Sequence, residues 1–227
     1  MIKKITIDNI AEISKIHKNI LPGSFFAILG EEFLREFYYK NIIKNKKFSG
    51  FYYEFNKKTV GFITFTYSGG IYFDMMKKHF LSLPYYTIKE LIRNIKKTGV
   101  IISAAYYLLF NQRNELPNIP AEIIAFGVLP DYRANRFNNA TGRVEKTDFY
   151  RKYRVKVSEE LFVAAAKDLY KNGEDEMKIT TEKSNTASNK FYSQHGCRPT
   201  GIKSKFLDSE LAIYRCQIKN ILNKQQN

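Results

Sequence analysis

Basic side chains gather between a predicted strand and a predicted helix in the second half of the chain. The strand covers Ile123–Leu129 and ends at Pro130, which cannot donate a hydrogen bond to a neighbouring strand. A helix is expected to begin after its capping residue, Ser158. Because a helix start presents free N–H groups and the positive end of the helix dipole, this stretch is suited to a phosphate group. The basic residues between the two elements are Arg133, Arg151, Arg154 and Lys156.

The other side chains that could do chemistry are scattered. The histidines are His17, His79 and His195, and their spacing matches no metal site. Cys197 and Cys216 have neither metal-binding spacing nor the arrangement of a disulfide framework. We therefore predict no metal centre.

The elements after the basic stretch alternate between helix and strand. A helix over 158–172 carries an apolar face and is ended by Gly173. The strand Met177–Thr181 follows, and then a helix over Asn185–His195 that Ser184 caps and Gly196 ends. A final hairpin is predicted over Gly201–Phe206 and Glu210–Ile218.

The first half of the chain supplies two helices and a hairpin. Helices are predicted over Ile10–Ile20 and from Gly30 to Ile43, and a hairpin pairs Phe48–Phe55 with Thr59–Tyr67. Two more helices are expected within an insertion at about 74–118, where they either cover a pocket or simply fill the core. This order predicts one α/β domain over 1–218 with a mixed sheet, followed by a polar tail over 219–227.

Charge and hydropathy narrow the class of protein. The net charge is +15, but the lysines are dispersed, which favours a compositional bias over a nucleic-acid surface. The longest apolar run, Val100–Phe110, is too short to cross a bilayer, and the first residues show no signal peptide. We therefore expect a cytoplasmic protein without a membrane partner.

Three motifs resemble the GCN5-related N-acetyltransferases (GNAT superfamily). The strand and its exit, IIAFGVLPDYR, are similar to the central strand and the V-x-P-x-Y-R motif of that family. The helix over 158–172 is followed by the strand MKITT, as in the family. The segment TEKSNTASNKFYSQHGCRPTG is similar to the family's N-x-x-A-x-x-F-Y-x-x-x-G-F segment and is the most specific of the three. Cys197 stands in place of the Phe of this segment, so the resemblance implies a small core residue there.

The resemblance implies a mixed, mostly antiparallel central sheet flanked by helices, with acetyl-CoA as co-substrate. Two strands, here Ile123–Leu129 and Met177–Thr181, would splay apart and admit the coenzyme. Its pantetheine arm would pair with backbone groups of Phe126, Gly127 and Val128, and Asn185 would also contact it. Its pyrophosphate would lie at the start of the following helix.

The loop that follows Arg133 departs from the family pattern. The family follows this arginine with a glycine-containing loop, whereas Ala134–Asn138 and Asp148–Lys156 contain no glycine. Either the loop carries a basic insertion over 134–156, with Arg133, Arg151, Arg154 and Lys156 neutralising the phosphates, or coenzyme binding is degraded.

The resemblance also implies the catalytic residues. Tyr192 occupies the position of a family tyrosine near the coenzyme sulfur, which makes it the candidate general acid. Glu122, early on the central strand, is the candidate base acting through water. Both have structural alternatives: Tyr192 as a packing ring, and Glu122 as an exposed carboxylate at a strand end.

The resulting hypothesis is direct acetyl transfer from acetyl-CoA to the amine of a small molecule, such as an amino sugar, an amino acid or a polyamine. The first alternative is an acyl-CoA-binding or regulatory module on the same fold. The second is a basic nucleic-acid-binding protein, which the dispersed charge disfavours. The sequence leaves a homodimer open.

Overall fold

The computed structural model describes residues 1–68, 83–110, 116–138, 143–202, 204–206 and 209–224. The strands are β1 (Ile2–Lys4), β2 (Phe48–Phe55), β3 (Lys58–Thr66), β4 (Glu122–Val128), β5 (Asn135–Asn138), β6 (Arg143–Lys146), β7 (Glu176–Glu182), β8 (Arg198–Pro199), β9 (Ser204–Phe206) and β10 (Ser209–Gln217). The helices are α1 (Ile10–Ile20), α2 (Phe25–Ile28), α3 (Lys40–Lys44), α4 (Leu83–Arg93), α5 (Thr98–Phe110), α6 (Asp148–Tyr153), α7 (Val157–Lys171), α8 (Thr186–Gln194) and α9 (Ile218–Asn223). A π-helical segment, Phe33–Tyr39, leads directly into α3, and short 3-10 turns cover Ile7–Asn9, Ile95–Lys97 and Pro130–Tyr132.

A mixed sheet forms the centre of the molecule. Its strand order is β1-β2-β3-β4-β7-β10-β8, with β9 also paired to β10. The β4–β7 pair is parallel, and the other pairs in the described part of the sheet are antiparallel. The predicted fold class, a mostly antiparallel mixed sheet with helices around it, is therefore confirmed.

Two apolar clusters cover the two faces of the sheet. On one face, α1, α2, the π-helical segment, α4 and α5 contribute to a core that contains Ile13, Phe33, Tyr38 and Phe62. On the other face, α7, α8 and α9 pack around Leu161, Phe162, Leu169 and Tyr192. We call these the α1 face and the α7 face of the sheet.

The apolar face predicted for α7 lies in the core, but the start of the helix differs from the prediction. The helix begins at Val157, and its N-cap residue is Lys156, which makes no capping bond with its side chain. Ser158 therefore lies inside the first turn. Gly173, with a φ of +90°, follows the helix in the left-handed conformation, as expected for a glycine that ends a helix.

The insertion between β3 and β4 contains the two predicted helices, here α4 and α5. Tyr86 and Leu91 of α4 pack on the α1 face, and Ile101 of α5 is buried in the same core. Glu32 holds α4 from outside through Lys89, at 2.6 Å, and Arg93, at 3.4 Å. The outer parts of the predicted insertion, 74–82 and 111–115, lie outside the described residues.

The described residues of the basic stretch, 134–138 and 143–156, form two strands and a helix rather than a loop throughout. Strands β5 and β6 pair as a separate hairpin, with register from Asn135↔Lys146 to Asn138↔Arg143. Thr147 closes its base, because its N–H donates to Ala134 O at 3.3 Å and its hydroxyl donates to Arg133 O at 2.5 Å. The chain therefore returns to its point of departure before α6 begins.

Two expectations about the C-terminal part are wrong. Cys197 and Cys216 form a disulfide, with Cα atoms 4.2 Å apart, although both lie in the core as expected for Cys197. The segment predicted to be a polar tail begins with α9, whose Ile218 and Ile221 are buried against the α7 face. The three-residue spacing of Ile218 and Ile221, with polar residues between them, is the signal that could have predicted this helix.

Candidate active site

Strands β4 and β7 are paired only at their beginnings. Their parallel ladder contains Glu122↔Lys178 and Ile123↔Ile179. Beyond this point β4 continues along β3 as far as Val128, and β7 continues along β10 as far as Glu182. The two strands therefore diverge and leave a gap in the middle of the sheet, at the position where the sequence analysis expects a splay.

The second half of β4 turns part of its backbone toward this gap. The N–H group of Leu129 donates to Val60 O on β3 at 2.8 Å. Because successive residues of a strand direct their backbone groups to opposite edges, Val128 and Phe126 direct theirs away from β3. The hydrogen bond from Arg133 Nε to Val128 O, at 2.9 Å, is consistent with this direction. Unlike Val128, Gly127 directs its backbone groups toward β3.

A bulge on β4 sets the direction of its side chains. Thr64 pairs with Ala125 and Phe65 pairs with Ile123, so Ile124 is an extra residue without a partner on β3. Ile123, Phe126 and Val128 contribute to the α7 face, whereas Ala125 belongs to the α1 face.

Gly127 lies under the end of α1. A Cβ atom at position 127 would be 2.4 Å from Ile20 Cγ2. The absence of a side chain therefore allows the end of α1 to lie against the strand beside the gap. This close approach brings the loop between α1 and α2 to the site.

Aromatic rings fill the α7 face below the gap. The ring of Phe126 is 6.2 Å from that of Phe162 and 5.7 Å from that of Phe191, measured between centroids. Tyr192 packs against Phe162 and against Tyr214, at 6.0 Å and 5.7 Å. The predicted catalytic tyrosine is thus held among large rings in the face that also receives the Phe126 side chain.

The hydroxyl of Tyr192 remains available in spite of this packing. It makes no hydrogen bond to any described residue, and the fully buried hydroxyls without a partner in that part of the chain are those of Ser49 and Thr59. The Tyr192 hydroxyl therefore keeps contact with the surface. Burial, with a smaller contribution from Tyr214, raises the pKa of the Tyr192 phenol, which stays protonated at neutral pH.

The predicted phosphate-binding residues lie around the start of α7. Arg154 is in the left-handed conformation, with a φ of 57°, and no ion pair or hydrogen bond of its side chain is found within the described ranges. Arg151 is 3.3 Å from Asp148, and Lys156 is 2.8 Å from Glu159. Glu159 and Glu160 belong to the first turn of α7 and reduce its attraction for an anion.

Packing of rings holds this basic segment in place. Phe149 of α6 is 5.1 Å from Phe55 and 5.1 Å from Tyr132, measured between ring centroids. Tyr153 also contacts Phe55, at 4.9 Å. These rings join α6 to the turn between β2 and β3, and they line a pocket of about 320 Å³ together with Lys152.

Asn185 is the N-cap residue of α8. Its Oδ1 accepts a hydrogen bond from the N–H of Ser188 at 3.1 Å, so it takes the capping role that was predicted for Ser184. The residue is exposed, and its amide Nδ2 is not used by this cap.

Glu122 lies at the closed end of the gap and forms an ion pair with Lys178, at 3.3 Å. Side chains at 122 and 178 point to the α1 face, because Ile123 and Ile179 point to the α7 face. Glu122 and Tyr192 are therefore on opposite faces of the sheet. The side chain of Lys178 is 7% exposed and that of Glu122 is 21% exposed, so the pair is largely shielded from solvent.

A polar network that the sequence analysis does not assign lies on the α1 face, near the end of α1. His17 is fully buried, with Nδ1 at 2.9 Å from the Tyr39 hydroxyl and Nε2 at 3.0 Å from the Ser24 hydroxyl. Tyr39 belongs to the π-helical segment, and segments of this kind are frequent at functional sites. Burial lowers the pKa of His17 to about 3, so its imidazole is neutral at physiological pH. Because these residues come from three separate elements, their spacing in the sequence does not indicate that they are in contact.

The described residues contain neither a candidate metal site nor a candidate membrane-spanning helix. No group of three or more His, Cys, Asp or Glu side chains there is arranged to hold a metal ion. None of the helices in that part of the chain has the length and hydropathy to cross a membrane.

Comparison with known proteins identifies the fold. No family profile matches the sequence. No curated protein matches it either. An acetyltransferase of the GNAT family from Streptococcus pneumoniae superposes with a TM-score of 0.51 at 11% identity, over 96% of this chain and 98% of its own. A ribosomal-protein-alanine N-acetyltransferase from Brucella melitensis gives 0.55 at 12% identity, over 96% and 99%.

A further similar structure is that of mutant forms of the spermidine/spermine N-acetyltransferase from Vibrio cholerae. It gives a TM-score of 0.55 at 10% identity and covers 99% of this chain and 97% of its own. The fold of this chain is therefore that of the GNAT superfamily, as the resemblance implied.

The first prediction concerns the ion pair at the closed end of the gap. Glu122→Gln leaves the Lys178 ammonium without its carboxylate, so the free energy of unfolding should fall by roughly 2 kcal/mol. Lys178→Met in the same background should recover most of this loss. Chemical denaturation measures both changes. Glu54→Gln, which breaks the more exposed pair with Lys3, is the control and should cost less than about 1 kcal/mol. A Glu122→Gln variant as stable as the wild type would contradict the prediction.

The second prediction concerns His17. Its native pKa of about 3 lies below the ordinary value of 6.5, so the unfolded chain takes up a proton first as the pH falls. The stability contributed by the neutral imidazole is complete above about pH 6.5 and is lost as the pH falls toward 3, by up to about 1.4 kcal/mol per pH unit. Denaturant unfolding between pH 7 and pH 4 should show this slope, and His17→Gln should reduce it.

Ser14→Ala is the matched control for His17→Gln. It removes the buried hydrogen bond from Ser14 to Ile10 O in the same helix but keeps the imidazole. This variant should be less stable at every pH and should retain the wild-type slope. Equal slopes in the wild type and in His17→Gln would show that His17 does not cause the pH dependence.

Proposed function

We propose that this chain is an acetyl-CoA-dependent N-acetyltransferase that transfers the acetyl group directly to the amine of a small molecule. The observation that carries the proposal is the gap between β4 and β7, together with the backbone groups of Phe126 and Val128 that face it. Amide groups of a pantetheine arm can pair with such an unpaired strand edge. The GNAT fold supports this use of the gap without showing it.

The coenzyme would follow β4 and then reach the start of α7. The backbone of Phe126 and the N–H group of Val128 would pair with the pantetheine, because Val128 O already accepts from Arg133 Nε. The phosphates would meet N–H groups of the first turn of α7 and a cationic rim. Arg154 is the central member of that rim, since Lys156 and Arg151 already have carboxylate partners. The complete set of proposed coenzyme contacts is Phe126, Gly127, Val128, Arg133, Arg151, Arg154, Lys156 and Asn185.

Transfer forms a C–N bond and breaks the C–S bond of the thioester. The amine must lose a proton before or during the attack, and the leaving thiolate gains one. The hydroxyl of Tyr192 would donate a hydrogen bond to the developing thiolate. Its raised pKa keeps the phenol protonated until the thiolate forms, and the proton then passes to the sulfur while the phenolate regains one from water. Glu122 would act as the base through water from the α1 face, in competition with its ion pair to Lys178.

The acceptor would approach from the α1 face, where the loop before α2 and the helices α4 and α5 lie. The similar structures include enzymes named for spermidine/spermine and for a ribosomal-protein alanine, so the fold accommodates different amines. The net charge of +15 disfavours a polyamine, which the chain would repel, relative to an amine on a neutral or anionic molecule such as an amino sugar or an amino acid.

A coenzyme-binding module without turnover is the second candidate function. The observation in its favour is the segment before α7, which contains no glycine and is followed by two carboxylates in the first turn. Binding of the coenzyme without acetylation of any amine would identify it.

The third prediction tests the coenzyme site. Acetyl-CoA at 100 times its dissociation constant should stabilise the chain by about 2.7 kcal/mol, visible as a rise in the melting temperature. Arg154→Gly relieves the left-handed arginine and removes the charge, so it should keep the fold and weaken coenzyme binding about tenfold. Arg154→Lys should keep most of the affinity. The exposed Arg198→Ala is the control and should change nothing. Absence of any stabilisation at millimolar acetyl-CoA would contradict the proposal.

The fourth prediction separates a catalytic from a packing role of Tyr192. Tyr192→Phe keeps the ring, so stability and coenzyme affinity should remain near wild type while kcat falls by about 10- to 100-fold. Steady-state kinetics with an amine acceptor measures the change. Tyr214→Phe removes a neighbouring hydroxyl that donates to Asn189 Oδ1 at 2.9 Å, and it should affect stability more than kcat. An unchanged kcat in Tyr192→Phe would assign the residue to packing alone.

A further inference from the structure

Helix α4 exposes an apolar stripe on the side that faces away from the sheet. Tyr85, Ile88 and Ile92 recur at helical spacing and are 58%, 56% and 73% exposed. Ile95, in the 3-10 turn that follows the helix, is 77% exposed. Large aliphatic side chains with three quarters of their surface in water are unusual when they are adjacent, and clusters of them mark interaction sites. The neighbouring helix α5 also exposes Ile102 and Tyr106, which share one side of that helix and are 52% and 57% exposed.

The stripe belongs to a helix that is fixed in place. On its inner side, Tyr86 packs edge to face on Phe33 at 5.8 Å, and Glu90 is buried against Gly30. The ion pairs from Glu32 to Lys89 and Arg93 hold its flank. One side of α4 therefore packs on the core, and the apolar side chains of the stripe do not take part in that packing.

Positive charge surrounds the stripe. Lys89, Arg93 and Lys96 lie within or directly after α4, and Lys89 and Arg93 pair with Glu32. The one acidic residue between 83 and 110 is Glu90. Glu90 is 7% exposed and accepts a hydrogen bond from Asn94 Nδ2 at 2.7 Å, so its charge does not reach the outer surface. Lys96 is exposed, and no ion pair of its ammonium is found in the described part of the chain. The outer surface thus combines apolar and cationic side chains, and no carboxylate of the described residues 83–106 is exposed on it.

Exposed tyrosines complete the pattern. Tyr85 and Tyr106 carry an apolar ring and a polar hydroxyl, which is the combination that favours the boundary between lipid headgroups and acyl chains. A basic amphipathic surface with aliphatic residues between lysines binds the surface of an anionic bilayer by partial insertion and by charge attraction.

We propose that the outer surface of α4 and α5 is a docking site for an anionic phospholipid bilayer, on which the protein lies without spanning it. The aliphatic side chains of the stripe would enter the headgroup region, and Lys96 would meet lipid phosphates. The net charge of +15 attracts the whole chain to such a surface and supports the same occupant. This proposal does not depend on the acetyltransferase activity.

Vesicle flotation with the full-length chain tests the proposal. Wild-type protein should float with vesicles that contain phosphatidylglycerol, should bind phosphatidylcholine vesicles far less, and should lose affinity as salt is added. The combined variant Ile88→Ser, Ile92→Ser, Ile95→Ser should reduce the bound fraction by about tenfold or more, since its apolar contribution is lost. Lys96→Glu should weaken binding at low salt and have less effect at high salt.

The control variant changes exposed apolar residues elsewhere, by Ile7→Ser together with Val144→Ser, which are 46% and 69% exposed in the wild type. It should float like the wild type, and unchanged melting temperatures should show that both variants are folded. Failure of the wild type to bind phosphatidylglycerol vesicles at low salt would overturn the proposal, as would equal binding by the stripe variant. A wild-type dimer that the stripe variant converts to a monomer, without vesicle binding, would assign the surface to a second copy of the chain instead.

Discussion

Strands β4 and β7 separate after Ile123 and Ile179, in the middle of the sheet. A sheet interrupted at its centre loses backbone hydrogen bonds, and this loss must be offset by packing on both sides of the opening. The bulge at Ile124 keeps β4 on β3 while its second half moves away from β7. On the α7 face the rings of Phe126, Phe162 and Phe191 support the opened strand, and on the α1 face Ile20 lies directly on Gly127. The packing on both faces of the sheet therefore supports the separated strands.

Much of this framework could be predicted from the sequence, because local signals and the core agree there. The apolar positions of α7 keep helical spacing, and Gly173 ends that helix. The segment before Cys197 contains a helix cap followed by Phe191 and Tyr192, and this order predicts α8. The prediction that β4 and β7 diverge rests on the resemblance and not on periodicity. No pattern within either strand shows which edge remains unpaired. The coenzyme and catalytic residues stay predictions for the same reason.

The rest could not be predicted, because it depends on contacts between residues far apart in the chain. The hairpin of β5 and β6 closes through Thr147 on Arg133 and Ala134, so a stretch that reads as a basic loop is an excursion that leaves the start of α7 near β4. His17 became a neutral, fully buried residue only through Ser24 and Tyr39, which lie on other elements. The disulfide joins cysteines that lie next to the pairing of β8 with β10, which the sequence analysis does not predict.

The two faces of the opened sheet differ in their chemistry, and this difference bears on how a transferase could work here. The α7 face offers rings, a phenol that holds its proton, and the helix start with Arg154, which suits a bulky anionic donor. The α1 face offers Glu122 with Lys178 at the closed end of the gap and a neutral imidazole network near Gly127, which suits a polar acceptor. A donor and an acceptor that approach from opposite faces can meet only in the gap, so direct transfer requires no covalent intermediate on the chain. Helices α4 and α5 lie on the α1 face of the sheet, so the proposed docking would direct the α1 face toward lipid and leave the α7 face open to water.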